Sequence, residues 1–223
     1  MENIVIGIEG LVGSGKTSIC RELQKIIPNS IIFHGGNLYR GIVYAFIKQG
    51  QQLENLKNVD IAKLMKDLKV KVQIEKGETV VIINDIKIDE NELQNKENSL
   101  AVSQAAKIAD NKALFIYLKN KIDEFKQNYN VIVSGRAIMQ IYPEIDYHFF
   151  ITADIDERVR RKASQYNGKI DLDELKEHII KRDSLQEETG FYKIYPNTIQ
   201  VDVTECKTAK ESTDKLCKYI KEI

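Results

Sequence analysis

Gly10-Leu11-Val12-Gly13-Ser14-Gly15-Lys16-Thr17 satisfies every fixed position of the pattern G-x-x-x-x-G-K-[ST]. Glycines at these intervals let successive backbone N–H groups turn toward one point. A helix beginning there directs the positive end of its dipole at the same place. The ligand such a loop holds is a nucleoside triphosphate. Gly10, Gly13, Ser14, Gly15, Lys16, Thr17 and Ser18 are therefore the expected ATP-binding residues. Lys16 reaches the β- and γ-phosphates and the Thr17 hydroxyl ligates Mg2+, so ATP and Mg2+ are the expected cofactors.

A phosphate loop alone does not separate a switch GTPase, a motor ATPase and a kinase. Asn120-Lys121-Ile122-Asp123 matches the guanine-reading N-K-x-D pattern, but Leu114, Tyr117, Leu118, Ile122 and Phe125 run through it at helical spacing, where a loop is needed. No Asp is followed three residues later by Gly, so the companion switch element is missing. A motor ATPase needs an apolar strand ending in Asp, whereas the run from Val131 ends in Ser134-Gly135-Arg136. What the chain supplies instead is arginine: Arg40, Arg136, Arg158, Arg161 and Arg182, at strand ends or on helices. Phosphoryl transfer consists mostly of positioning and charge neutralisation, and arginines suit that task. A phosphate acceptor is largely ionised near neutral pH, its second pKa being about 6, and requires no general base. A hydroxyl acceptor would call on a carboxylate, and Glu9 is the only acid beside the loop.

The elements that must position these groups follow from hydrophobic periodicity. Ile4 to Ile8, Ile31 to Phe33, Val131 to Val133, Tyr147 to Thr152 and Ile199 to Val203 are short apolar runs of the kind buried on both faces of a parallel sheet. Helical patterns alternate with them. One carries Ile19, Leu23 and Ile26 and stops at Pro28; another runs from about Asp154 with Ile155, Val159 and Tyr166; a last begins at the capping pair Thr208 and Glu211. The alternation predicts an α/β fold, a doubly wound parallel sheet. Between Asn55 and Asn98 the character changes to a short helix followed by three strands separated by turns at Lys76-Gly77 and Asn84-Asp85. The expected organisation is a core of residues 1–54 and 99–223, an inserted acceptor-binding lobe at 55–98, and a lid at about 158–190 with a polar hinge from Asn167 to Asp171.

Of the 223 residues, 43% are hydrophobic and 30% charged, enough for a buried core. Thirty-three basic residues balance 33 acidic ones, which gives no support for a long nucleic-acid footprint. No apolar run approaches a membrane span. Cys20, Cys206 and Cys217 lack metal-ligand spacing and read as small buried apolar groups. The expectation is a cytoplasmic monomer with small-molecule nucleotides as partners, no nucleic acid and no membrane.

Taken together, the motifs resemble the nucleoside monophosphate kinases, most closely the bacterial cytidylate kinases. Gly36-Asn37-Leu38-Tyr39-Arg40 resembles that family's G-A-x-Y-R segment, Ser103-Gln104-Ala105-Ala106 its S-x-V-A stretch, and Ser134-Gly135-Arg136 its D-G-R-D. Glu157-Arg158-Val159-Arg160-Arg161 and Lys181-Arg182-Asp183 resemble the two ends of its lid. The resemblance implies a P-loop kinase in which Lys16, Arg158 and Arg161 are catalytic. It implies that Tyr39, Arg40, Ser103, Lys112, Arg136 and Arg182 bind the acceptor, Ser103 and Lys112 facing the base. CMP or dCMP is the implied acceptor. Ser134 and Ala137 replace both acids of D-G-R-D, Lys112 stands for a base-contacting arginine, and Gln186 and Thr189 replace a lid acid and arginine. Two other readings stay open at this level: a hydroxyl-acceptor kinase using Glu9, and a non-catalytic nucleotide-binding regulator.

Overall fold

The structure, a computed structural model, describes residues 2–164 and 170–221. Tyr166 and Asn167 to Lys169 of the expected hinge lie outside them.

In chain order the elements are β1 (Val5–Gly10), α1 (Lys16–Ile26), β2 (Ser30–His34), α2 (Gly35–Lys48), a 3-10 turn (Leu53–Asn58), α3 (Ile61–Asp67), β3 (Lys71–Glu75), β4 (Glu78–Ile83) and β5 (Ile86–Lys87). There follow α4 (Glu90–Gln94), α5 (Lys96–Ile108), α6 (Lys112–Lys126), β6 (Asn130–Ser134), α7 (Ile138–Ile141), β7 (Tyr147–Thr152), α8 (Ile155–Ser164), α9 (Leu172–Glu188), β8 (Thr198–Asp202) and α10 (Ala209–Cys217). One sheet orders its strands β3-β4-β2-β6-β1-β7-β8, with β5 on β4. The five expected core strands, β2, β6, β1, β7 and β8, pair in parallel.

Alternation along these strands produces the two-sided winding. Val5, Ile31, Phe33, Val131 and Val133 enter a core shared with α2, α5, α6 and α7. Their neighbours Ile6, Ile8, Ile32 and Ile132 enter a second core with α1 and α10. The central runs of these strands are apolar on both faces because each face meets helices. A third, smaller cluster of Val12, Val159, Leu175 and Ile179 packs the phosphate loop against α8 and α9.

The segment 55–98 does fold as an antiparallel β3-β4-β5 ladder. It is joined to the core sheet, however, through the parallel pair Ile32↔Glu78, and Val72, Val81 and Ile83 enter the same core as Leu38 and Ile42. Two short helices, α4 and α7, carry too few residues to show a period in the sequence. Asn120 to Asp123 lie inside α6, so the N-K-x-D match falls within a helix.

Candidate active site

The carboxyl ends of β1, β2 and β6 open on one cavity of about 560 Å3, at the sheet edge where doubly wound proteins take their ligands. At Gly10, φ is +140° and an added Cβ would sit 2.1 Å from the carbonyl oxygen of Ile151, so a side chain there would collide with β7. Gly13 and Gly15 also have positive φ, +81° and +95°. The loop they shape delivers the first amides of α1 to the cavity.

Helix starts differ in how they are capped. Side chains cap α3, α4, α5, α9 and α10 (Asp60, Asp89, Asn95, Asp171 and Thr208 respectively). The N-cap residues of α1, α2, α6 and α7, which are Gly15, His34, Asn111 and Ala137, make no such bond. At α6 and α7 the carboxylates of Asp110 and Glu9 take the first amide. At α1 and α2 an uncapped start with no acid in its first turn leaves N–H groups and positive dipole for an anion. Gly15 to Ser18 on α1 and Gly35 to Asn37 on α2 line the cavity.

Charge follows the same logic. Lys16, Arg40, Arg136, Arg182 and Lys162 line the cavity close enough to perturb one another, and Arg160, Arg161 and Lys207 line it too. No Asp or Glu lines it among the described residues. Burial, then the repulsion of Arg136, holds the Lys16 ammonium well below its ordinary pKa. Burial and the neighbouring Arg182 and Arg136 push Arg40 down to about 9. Burial, with Arg182 and Arg40, brings Lys162 to about 8. Nε of Arg40 and of Arg136 and the buried Tyr39 hydroxyl have no hydrogen-bond partner. Lys16 and Arg40, buried among neighbouring arginines, favour an anionic ligand, since their charged forms are disfavoured until one arrives.

Most of the expected residues meet here. Gly13 to Ser18, Tyr39, Arg40, Ser103, Arg136, Arg161 and Arg182 all line the cavity. Lys16 Nζ donates to the carbonyls of Gly10 (3.0 Å) and Leu11 (2.6 Å) within its own loop. Arg161 donates to Ser14 O at 3.2 Å and to the carbonyls of Val203 and Cys206, joining the phosphate loop to the chain after β8. Arg136 lies over the Tyr192 ring, 5.4 Å from its centre. Arg182 Nε reaches Ser103 Oγ at 3.5 Å.

Three expected residues are not in the lining: Gly10, which ends β1 against Ile151, Arg158 and Lys112. Arg158 is buried behind the loop, its guanidinium engaged by the Asp183 carboxylate, Val12 O (3.1 Å) and Ala153 O (2.9 Å). Helical spacing with Arg161 suggested a shared face, but Arg158 turns toward α9 and acts as a strut. Lys112, the first residue of α6, is exposed and borders a shallow depression outside the cavity. Glu9 also falls outside: it is 2% exposed, accepts from the Ile138 N–H and lies 3.3 Å from His148 Nε2. The hydroxyl-acceptor reading therefore loses its base. Sequence reasoning missed Asn37, Asn111, Lys162 and Lys207 in the lining. Of these only Lys162, beside Arg161 in the lid sequence, carried a signal.

The cavity suits the expected cofactors. Loop amides and Lys16 fit a triphosphate. With no lining carboxylate, Mg2+ would be held by the Thr17 hydroxyl, phosphate oxygens and water, an arrangement that suits this ion.

A family model described as cytidylate kinase matches residues 6–222. The chain belongs to the cytidylate kinase family. This is a family of nucleoside monophosphate kinases, which use ATP as phosphoryl donor. Among curated relatives, the chain is 28% identical over 229 residues to the cytidylate kinase of Clostridioides difficile (strain 630), covering 99% of each chain. It is 27% identical over 224 residues to that of Caldanaerobacter subterraneus subsp. tengcongensis, covering 98% of this chain and 95% of the relative. A crystal structure of an uncharacterized protein from Eubacterium ventriosum shares the fold, with a TM-score of 0.50 at 17% identity and 98% of both chains covered. No helix among the described residues is long and apolar enough to cross a membrane.

Proposed function

We propose that this member of the cytidylate kinase family transfers the γ-phosphoryl group of Mg2+-ATP to CMP or dCMP, giving the diphosphate. The observation that carries this is the convergence of Lys16, Arg40, Arg136 and Arg182 on a cavity with no lining carboxylate among the described residues. Such a site neutralises phosphates at both ends of a transfer and offers no base, and a phosphate nucleophile needs none. Lys16 and Arg161 serve the donor; Arg40, Arg136 and Arg182 hold the acceptor phosphate; Ser103 faces the acceptor base. Residues 55–98, which contribute Gln94 to the cavity wall, act as the acceptor lobe, and residues 158–190 as the lid. The enzyme works as a cytoplasmic monomer on small nucleotides.

Release of ADP, coupled to NADH oxidation and measured with each common monophosphate, tests the reading. CMP and dCMP are expected to turn over fastest. ATP binding without turnover of any monophosphate would instead favour a regulator.

A further inference from the structure

Beyond the arginines, the cavity runs into an apolar end walled by Val102 and Ala106 of α5, Leu114 and Phe115 of α6, and Phe191. A base fits such a place, and the few polar atoms there must read it. Asn111 is one of them, at the start of α6.

An Asn at a helix start ordinarily turns its side-chain oxygen onto its own helix. Asn111 does not. Asp110, one residue earlier, takes the Lys112 N–H at 3.0 Å. That releases the Asn111 carboxamide, whose Nδ2 donates to Ala106 O at 3.0 Å. Only the NH2 side of an amide can donate to a carbonyl, so Ala106 fixes which way the group faces. Among the described residues the oxygen is left without a partner, and so is one N–H. Ser103 is committed in the same sense, its Oγ–H donating to Ser99 O at 3.1 Å.

We infer that the Asn111 carboxamide, locked by Ala106 O, reads the acceptor base and sets a preference for an exocyclic amino over an oxo group. The inference rests on the monophosphate-acceptor reading above. Cytosine presents an N4 amino donor beside an N3 acceptor, which matches an amide offering its oxygen and one N–H. Uracil presents the reverse, an O4 acceptor beside an N3–H donor. To pair with uracil the amide would have to turn over, placing its oxygen against Ala106 O and orphaning both. The lock thus supplies discrimination that a freely rotating amide lacks, in a site with no lining carboxylate to supply it. A polar mismatch at this half-buried group corresponds to a preference of about tenfold.

The test compares kcat/KM for CMP and UMP in the wild type, Asn111→Ala and Asn111→Asp, with helix content and melting confirming the fold. The wild type is expected to favour CMP at least about tenfold. Asn111→Ala is expected to bring the ratio down about tenfold by lowering CMP turnover and leaving UMP unchanged. Asn111→Asp has no N–H for Ala106 O, but as an acceptor only it still favours the amino over the oxo group and is expected to keep the preference, which provides a second reading should the alanine variant not fold. An unchanged ratio in Asn111→Ala, a lost preference in Asn111→Asp, or a wild type that prefers UMP would overturn the assignment. If no monophosphate is turned over, the functional reading fails, and calorimetric affinities for CMP and UMP in the same proteins still decide the role of Asn111.

Discussion

Asp183 Oδ1 accepts the backbone N–H of Val12 at 2.9 Å, tying the second helix of the lid region to the phosphate loop. The same carboxylate takes the Tyr192 hydroxyl at 2.6 Å and the Arg158 guanidinium, and Arg158 in turn holds Val12 O. Tyr192 lies beneath Arg136. One acid therefore couples the donor loop to an arginine of the proposed acceptor site. Asp183→Ala would leave Arg158 buried without its partner, and a loss of about 3 kcal/mol in urea denaturation is expected. Asp183→Asn can still accept from Val12 N–H. It should fold better than the alanine variant and show its defect chiefly as a raised KM for ATP. Equal stability of Asp183→Ala and wild type would show that the coupling carries little energy.

Lys16 separates binding chemistry from stability. Its ammonium is crowded by Arg136, Arg182 and Arg40, and in the absence of nucleotide its partners are loop oxygens. Lys16→Met removes charge from a like-charged cluster while keeping the aliphatic stem. Activity should fall by about 10²–10³, as for loss of one group that stabilises developing charge. The denaturation midpoint should stay within roughly 1 kcal/mol of wild type, because relief of repulsion offsets the lost hydrogen bonds. A large stability loss would mark Lys16 as a structural brace of the loop.

A different acid holds the inserted ladder to the core. Glu78, at the start of β4, meets His34 Nε2 at 2.8 Å and Arg21 Nε at 2.8 Å. Hydrogen bonds from His34 and Arg21 lower its carboxyl from 4.5 to about 2. A depressed folded-state pKa gives stability that is present above the unfolded value of 4.5 and is lost as pH falls through the folded value of about 2. Urea midpoints followed across that window should decline less steeply in Glu78→Gln than in wild type. Parallel acid limbs would remove Glu78 from the account.

The sequence made the donor half legible because its chemistry is backbone geometry at fixed spacing: Gly10 to Thr17 declare the loop, and apolar runs such as Val131 to Val133 declare the strands that carry it. The arginines were legible as a group but not individually. Arg158 and Arg161 are three apart on one helix, yet only the packing of α9 decides that the first meets Asp183 and the second the cavity. Asn111 was hidden for a related reason. Its lack of a capping bond depends on Asp110 taking that role, a choice between adjacent residues that spacing cannot express. Glu9 read as a base by position, and only the turn at Ala137 (φ 53°), which brings the Ile138 N–H onto its carboxylate, closes that role.

The depressed cations make nucleotide binding pH-dependent. Lys162 titrates near 8 and Arg40 near 9 in the free protein, lowered first by burial and then by neighbouring arginines. Well below pH 8 both are charged; as pH rises through 8 and then 9, their positive charge is lost and affinity for phosphates should weaken. A bound phosphate reverses the repulsion and raises both values, so binding between pH 8 and 9 must take up protons. Calorimetric titration of CMP into the protein at pH 8.5, in buffers of different ionisation enthalpy, reads this uptake directly. About half a proton or more per CMP is expected for the wild type, given shifts of this size in Lys162 and Arg40. Lys162→Met should lower the uptake and also weaken CMP binding at pH 7, where the wild-type side chain carries its charge. Zero uptake in the wild type would mean that CMP does not sit among these cations, and would count against the proposed acceptor site as a whole.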